Sequence, residues 1–390
     1  MFTGMWWIIT YTADILLFVG VALTSLYMAI YSIAALFNQR TKVTTAKHQN
    51  RFIILIPAYK NDGIIEQTVK SVLGQTYPQR LFDVTVISDH QKEITNFHLA
   101  QYPITLLTPN FKSSTKAKSL QLAINNLPQF KIYDVVIILD AGSLVEPEFL
   151  QNMNDAFEAA GTKAIQAHRL SKNRDTAIAC LDATFEEINN TIFRRGHVTL
   201  GLSAAISGSG IAYEFRWFKE NIKRIKTGWE DKEIEALLMR QQIYVDYFDD
   251  IHVYDEKTRH TADFNKQRGR WASTQLRSIL SNIHHLPAAI LSKRYDMVDK
   301  LIQWLLIPRT IMMAIIVVMS IILPFIYFTL AIKWWITFAV IIFIFALATP
   351  DYLVDKKWEQ SFAKAPFIML ASLLNITKLI RRKKKFENIN

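Results

Sequence analysis

The chain has 390 residues, 51% of them apolar and only 20% charged, with one cysteine and a net charge of +11. Soluble domains sit near ~45–50% apolar and about 25% charged, so part of the apolar length serves something other than a soluble core. Disorder, a collagen repeat and a disulfide scaffold are excluded by the same values. The basic excess suits an anionic membrane surface, nucleic acid or a phosphorylated substrate, and its position along the chain must choose among them.

Ile15 to Phe37 carries no charged residue and is long enough to cross a bilayer core of about 30 Å as a helix. Trp6, Trp7 and Tyr11 precede it as an aromatic belt would, and Arg40, Lys42 and Lys47 follow on what reads as the cytoplasmic side. The run is too long for a cleaved leader and no basic stretch precedes it, so residues 1–37 read as an uncleaved transmembrane anchor.

Residues 38–272 read as an α/β block. Phe52 to Ile56, Val84 to Ile87 and Val135 to Leu139 are short continuous apolar runs, as buried parallel strands should be. Ile64 to Leu73 and Ser114 to Leu127 have helical spacing between them. This alternation predicts a doubly wound sheet with helices on both faces, in which ligands bind at the carboxyl ends of the strands. Those ends carry Tyr59 with Asn61 and Asp62, then Asp89, then Asp140. A single carboxylate there is commonly a turn former; two, with Lys116 and Lys118 between them, suggest a site. No glycine-rich dinucleotide or P-loop element is present. Cys180 reads as a small buried hydrophobe.

Further along, Ser207-Gly208-Ser209-Gly210 reads as a flexible segment, and Trp229-Glu230-Asp231 opens a helix expected over 232–242. Gln267-Arg268-Gly269-Arg270-Trp271 precedes residues 273–309, which read as interfacial helices. Thr310 to Thr349 is apolar apart from Lys333 and far exceeds one span, so it predicts a transmembrane hairpin over 310–350 that turns at Lys333, Trp334 and Trp335. Pro366 to Ile380 is too short to span comfortably and is followed by Arg381 to Lys385, so 351–390 reads as a cytoplasmic interfacial helix with a basic tail on anionic lipid. The sum is a multi-pass plasma-membrane protein with a large cytoplasmic block and no nucleic-acid partner.

Taken together, the three strand ends, Glu230-Asp231 and Gln267-x-x-Arg270-Trp271 resemble the membrane-bound members of glycosyltransferase family 2, the group of cellulose, chitin, hyaluronan and poly-N-acetylglucosamine synthases. The resemblance covers essentially the whole chain and implies a GT-A-like nucleotide-sugar-binding domain. It implies that Tyr59, Asp89, Lys116, Asp140 and Arg270 hold the donor, a UDP-sugar by analogy, with Asp89 on the nucleoside and Lys116 and Arg270 near the diphosphate. It implies Asp231 as catalytic base, Glu230, Gln267 and Trp271 at the acceptor, and Asp140 as ligand of Mg2+ or Mn2+. Lys60-Asn61-Asp62 departs from the usual Asn-Glu of the first turn. Gly142 departs from the second aspartate of Asp-x-Asp, and replacing it with Asp is expected to tighten metal binding.

These residue types suit the chemistry. Cleaving a sugar–diphosphate bond leaves negative charge for Lys116, Arg270 and a divalent cation to stabilise, and an acceptor hydroxyl must lose its proton, which Asp231 can take. The expected product is a β-linked polysaccharide or glycan. Addition to a lipid or lipid-linked acceptor, or a catalytically weak scaffold role in a polysaccharide complex, remains open, as does oligomeric state. For Asp231 the structural alternative is a first-turn helix carboxylate, and for Trp271 an interfacial belt residue.

Overall fold

The computed structural model describes residues 2–38 and 43–363; Arg40, Lys42 and the expected interfacial helix and basic tail beyond residue 363 lie outside them. Phe52–Tyr59 (β1), Phe82–Asp89 (β2), Thr105–Leu107 (β3) and Val135–Ile138 (β4) make a parallel half-sheet. Leu144–Val145 (β5), Ala164–Ser171 (β6), Ile211–Glu214 (β7) and Val245–Asp255 (β8) extend it in the order β3-β2-β1-β4-β7-β6-β8-β5. β7 runs antiparallel to both β4 and β6, so the sheet is mixed.

Alternate residues of β1 divide the core between the two faces, following the two-residue period of a strand. Phe52, Ile54 and Ile56 pack with Ile65 and Val69 of the helix Ile65–Leu73 and with Phe149 and Met153 of the helix Phe149–Ala160. Ile53 and Leu55 face Leu120 and Ile124 of the helix Lys116–Asn125 and Ile234 and Leu238 of the helix Glu230–Arg240. Helices therefore cover both faces, as the alternation implies. Thr115 sets the start of Lys116–Asn125: its Oγ1 accepts the Lys118 N–H at 3.3 Å, a side-chain cap on an otherwise unpaired first-turn donor.

Two described helices, Thr10–Leu36 and Phe328–Ala348, are long and apolar enough to cross a membrane, and a third candidate is the pair Tyr295–Leu305 and Arg309–Phe325, bent by 50°. The sheet domain does not hang free of them. Val21 and Met28 of the first helix share a core with Phe185 and Ile188 of the helix Ala177–Asn189 and with Met312 and Trp334.

Three expectations are corrected. The chain does not turn at Lys333: the break falls at Leu323–Phe325, and Lys333 lies in the second turn of Phe328–Ala348. Pro324 explains the shift, because it lacks the N–H a continuing helix needs. Lys333 is instead ion-paired with Asp14 of the first helix, which also accepts the Trp334 indole N–H at 2.8 Å. The boundary expected at 272/273 falls inside one helix, Thr261–Asn282. Finally, the segment 207–210 is not a loose linker. Ser207 and Ser209 are buried, and Ser209 Oγ accepts the Asp140 N–H at 3.0 Å.

Candidate functional site

Parallel pairing of β1 with β2 sets Tyr59 directly beside Asp89 at the carboxyl ends. Past each residue the chain bends sharply: Lys60 and His90 have φ of 53° and 55°, a left-handed conformation that costs a non-glycine residue about 1–3 kcal/mol and clusters at functional sites. Asp89 is 1% exposed and its Oδ1 lies 2.5 Å from His90 Nδ1. Tyr59, half exposed, sets its ring edge-on to His90. Asp62 points elsewhere. It accepts from the Lys92 N–H and the Thr95 hydroxyl at 2.7 Å each, bonds that hold its pKa below the usual carboxylate value and tie down the loop.

Asp140 follows β4, and its Oδ1 is bonded by Lys116 Nζ. The same ammonium donates to the Gly208 carbonyl at 2.5 Å and stands 3.6 Å from Glu230 Oε1. Burial opposes charge on Lys116, but Asp140 and Glu230 more than offset it and raise its pKa. Burial likewise opposes charge on Asp140, and Lys116 with Arg169 brings its pKa below the usual value. Glu230 goes the other way: burial, with the Asp231 charge adding and Lys116 opposing, pushes it up to about 7. Asp231 is the next residue in the first turn of Glu230–Arg240, with Oδ1 accepting the Lys232 N–H at 2.9 Å. Lys232 turns away from it to Glu235, at 2.7 Å.

Gln267, Arg270 and Trp271 lie one turn apart on Thr261–Asn282, and the i, i+3, i+4 spacing puts them on one face. The Arg270 guanidinium is 6.0 Å from the Trp229 ring centroid. Trp271 is 39% exposed, with the Arg268 guanidinium stacked 4.5 Å from its centroid.

All nine expected residues line one cavity of about 1010 Å³. Arg169, Arg268 and Arg309 line it too, and the sequence did not single them out. Arg169 is held by Asp255 at 2.5 Å. Arg268 lies in the spacer of Gln267-x-x-Arg270, where side-chain identity carries no signal. Gly142 sits at φ +119°, its N–H donating to Thr68 Oγ1 at 2.8 Å, and a Cβ there would lie 2.8 Å from Ile64 Cδ1. An aspartate at 142 would therefore sit in a strained backbone conformation, a cost set against the tighter metal binding expected of it.

No curated protein sequence matches the chain significantly. Among solved structures, a mannosyltransferase from Pyrobaculum calidifontis, PcManGT, in complex with GDP-Man and Mn2+, is similar with a TM-score of 0.55 and 12% identity over 93% of this chain and 97% of that one. S. aureus TarS in complex with UDP-GlcNAc gives 0.41 and 14% over 85% of this chain and 92% of the other. The first of these supports a GT-A-like fold. The family model described as glycosyltransferase-like family 2 matches residues 48–274, a stretch that begins just before β1 and ends just after Trp271. That match takes in all three strand ends, Glu230-Asp231 and Gln267-x-x-Arg270-Trp271, and by it the chain belongs to glycosyltransferase-like family 2 and is a glycosyltransferase.

Proposed function

We propose that the protein is an inverting membrane glycosyltransferase that moves a sugar from a nucleotide-sugar donor, first of all a UDP-sugar, to a hydroxyl of a β-linked polysaccharide or glycan. The observation that carries the reading is the convergence of Lys116, Asp140, Glu230, Asp231, Arg270 and Trp271 on one cavity at the strand ends. Tyr59 and Asp89 hold the nucleoside, and Lys116 with Arg270 takes up negative charge as the diphosphate departs. Asp231 removes the acceptor proton as the hydroxyl attacks the anomeric carbon. The new C–O bond forms on the face opposite the one that breaks, so configuration inverts. Trp271 and Gln267 offer the acceptor ring an apolar face and a polar edge, and Glu230, whose pKa burial pushes up to about 7, donates a hydrogen bond to the acceptor when it carries its proton.

Asp140 would hold a divalent cation through its one carboxylate: its Oδ1 is committed to Lys116, and its Oδ2 makes no hydrogen bond among the described residues, a sparse protein ligand set of the kind Mg2+ tolerates. When bound, that cation neutralises charge on the leaving diphosphate.

A lipid or lipid-linked acceptor is favoured by one further observation. The cavity extends to Thr24 and Met28 of the first candidate span and to residues 307–310, so an acceptor could arrive from the bilayer. The domain then lies on the cytoplasmic side of a multi-pass protein. The test is nucleotide diphosphate release by the purified full chain in nanodiscs across a panel of nucleotide sugars. Release with one donor, lost in Asp140→Ala, supports the reading; release with none would sink it and favour the scaffold alternative.

A further inference from the structure

The donor and acceptor roles above leave part of the cavity without a task. Thr24 and Met28 of the first helix line it together with Gln303, Trp304 and Arg309, at the bend where Tyr295–Leu305 meets Arg309–Phe325. This bend is held firmly. The Ile307 N–H donates to Thr24 Oγ1 at 3.3 Å, and Gln275 Nε2 donates to the Trp304 and Leu306 carbonyls at 2.9 and 2.6 Å. Polar groups freed by a break in an apolar helix are thus satisfied by side chains, as a bilayer requires.

Two guanidinium groups meet there, and neither is fully used. Arg268 is 8% exposed and donates one arm to Asp182 at 2.6 Å, while its Nε is buried without an acceptor. Arg309 donates Nη2 to Asn189 Oδ1 at 2.6 Å; its Nη1 is buried without an acceptor, and it has no carboxylate partner among the described residues. Both lie against the Phe185 ring, with guanidinium carbons 4.9 and 5.4 Å from its centroid. Arg309 also opens the helix Arg309–Ile322, where the Ile311 and Met312 N–H groups donate to the Pro308 carbonyl at 2.8 and 2.9 Å, so the guanidinium groups rather than the helix end supply the free donors. Asp182 pairs with Arg268 alone and the nearby Glu186 carboxylate is already bound by Arg194, so the two like charges on one ring, with buried N–H groups unspent, suit an anion that accepts several hydrogen bonds at once. Phosphate does so, and guanidinium binds it in two-pronged fashion. The neighbouring walls, Met28, Phe193, Leu306 and Ile307, are apolar.

We propose that this end of the cavity binds the phosphate of a lipid that presents the acceptor, with Arg309 and Arg268 as the phosphate ligands and the lipid chain leaving beside Met28 and Ile307. The proposal rests on the glycosyltransferase reading and specifies its acceptor class. The lipid phosphate is not altered. A hydroxyl further along the headgroup forms the bond to the anomeric carbon as the bond to the donor diphosphate breaks; its proton goes to Asp231 and the electron pair leaves with the nucleotide.

The test uses the full chain in phosphatidylcholine nanodiscs and native mass spectrometry, with polyprenyl phosphate and the matching polyprenol as probes. The phosphate form should bind at least tenfold more tightly than the alcohol. Arg309→Gln should abolish that preference, and Arg309→Lys should keep part of it. A tenfold excess of phosphatidylglycerol should not displace the probe, and neither should UDP. Equal binding of the two probes in the wild type overturns the proposal without any variant, as does a preference that survives Arg309→Gln. Displacement by phosphatidylglycerol would make the site a general headgroup contact, and displacement by UDP would make it part of the donor site; either result overturns the acceptor assignment. Donor turnover on the same preparation separates the two levels. Equal binding of the two probes by the wild type with intact nucleotide release refutes this inference alone, whereas absent release by the wild type refutes the functional reading beneath it.

Discussion

Glu230 Oε1 stands 3.6 Å from the Lys116 ammonium, whose nearest carboxylate is Asp140. One cation thus links the third strand end to the helix that carries Asp231, so the proposed donor and acceptor sides of the cavity share a charge. Lys116→Ala should weaken donor binding and leave Glu230 buried with its carboxylate neighbours uncompensated, pushing its pKa above about 7. The check is donor affinity by calorimetry together with the pH profile of transfer.

Asp231→Asn isolates the base. It keeps size and the hydrogen bond from the Lys232 N–H but loses the proton acceptor, so transfer should fall ~10²–10⁴-fold, or about 3–5 kcal/mol of barrier. Nucleotide-sugar affinity should survive. If Asp231 only favoured its helix end, the variant would cost ~0.3–1 kcal/mol of stability and turnover would stay near normal.

Glu230 predicts a pH dependence whose sign follows from burial. Its raised pKa means the folded protein holds a proton that the unfolded chain releases near the ordinary glutamate value. The associated stability is present at low pH and is lost as pH rises toward and through about 7. Acceptor KM should rise over the same interval as the donor hydrogen is lost. Glu230→Gln should flatten both trends, and a profile unchanged by the substitution would remove Glu230 from acceptor binding.

The ion pair of Asp14 with Lys333 predicts non-additive damage. Lys333→Met leaves the Asp14 carboxylate, 4% exposed, without its cation, a loss of about 3–5 kcal/mol for a buried pair. Asp14→Asn in the same chain should recover most of it, because two neutral groups no longer need each other. Thermal unfolding in detergent of the two single variants and the double variant checks this. Additive losses would mean that the pair contributes nothing jointly.

The relocated turn gives a topology test. Cys180 is buried and is the only cysteine, so a cysteine introduced at Ile326 can be labelled cleanly. Labelling there from outside intact cells, with none at a cysteine introduced at Lys60, is expected. Equal access at both positions would refute the hairpin.

The strand ends were readable because parallel strands buried on both faces leave their polar residues at the ends; Tyr59, Asp89 and Asp140 stood out against the apolar runs before them. Glu230-Asp231 and Gln267-x-x-Arg270-Trp271 were readable as spaced pairs on helices. Lys333 misled because a charge in an apolar run normally marks an interface, and its partner Asp14 is some 300 residues away in sequence. Arg268 and Arg309 were illegible for a related reason. Each gains meaning only from the ring of Phe185 and from the other's position, both set by packing that no local pattern encodes. Only β1, β2 and β4 were anticipated; β3, β5 and β7 give runs too short to separate from buried loops, and β6 and β8 mix polar with apolar residues instead of forming continuous apolar runs.

Gly196 follows the π-helical turn Asn190–Arg195, where even a single Cβ would lie 2.2 Å from the Tyr31 carbonyl oxygen of the first helix. Beside it, His197 stacks flat on the Tyr31 ring, with centroids 3.8 Å apart. The sheet domain is therefore seated directly on the first helix rather than suspended from a tether, and in the membrane reading proposed above its height over the lipid surface follows from this close approach of backbone to backbone. Tilting of the first helix in a thicker or thinner bilayer would carry the strand ends with it. Lipid thickness, rather than any swing of the domain, would then decide how far an acceptor must rise to meet the donor.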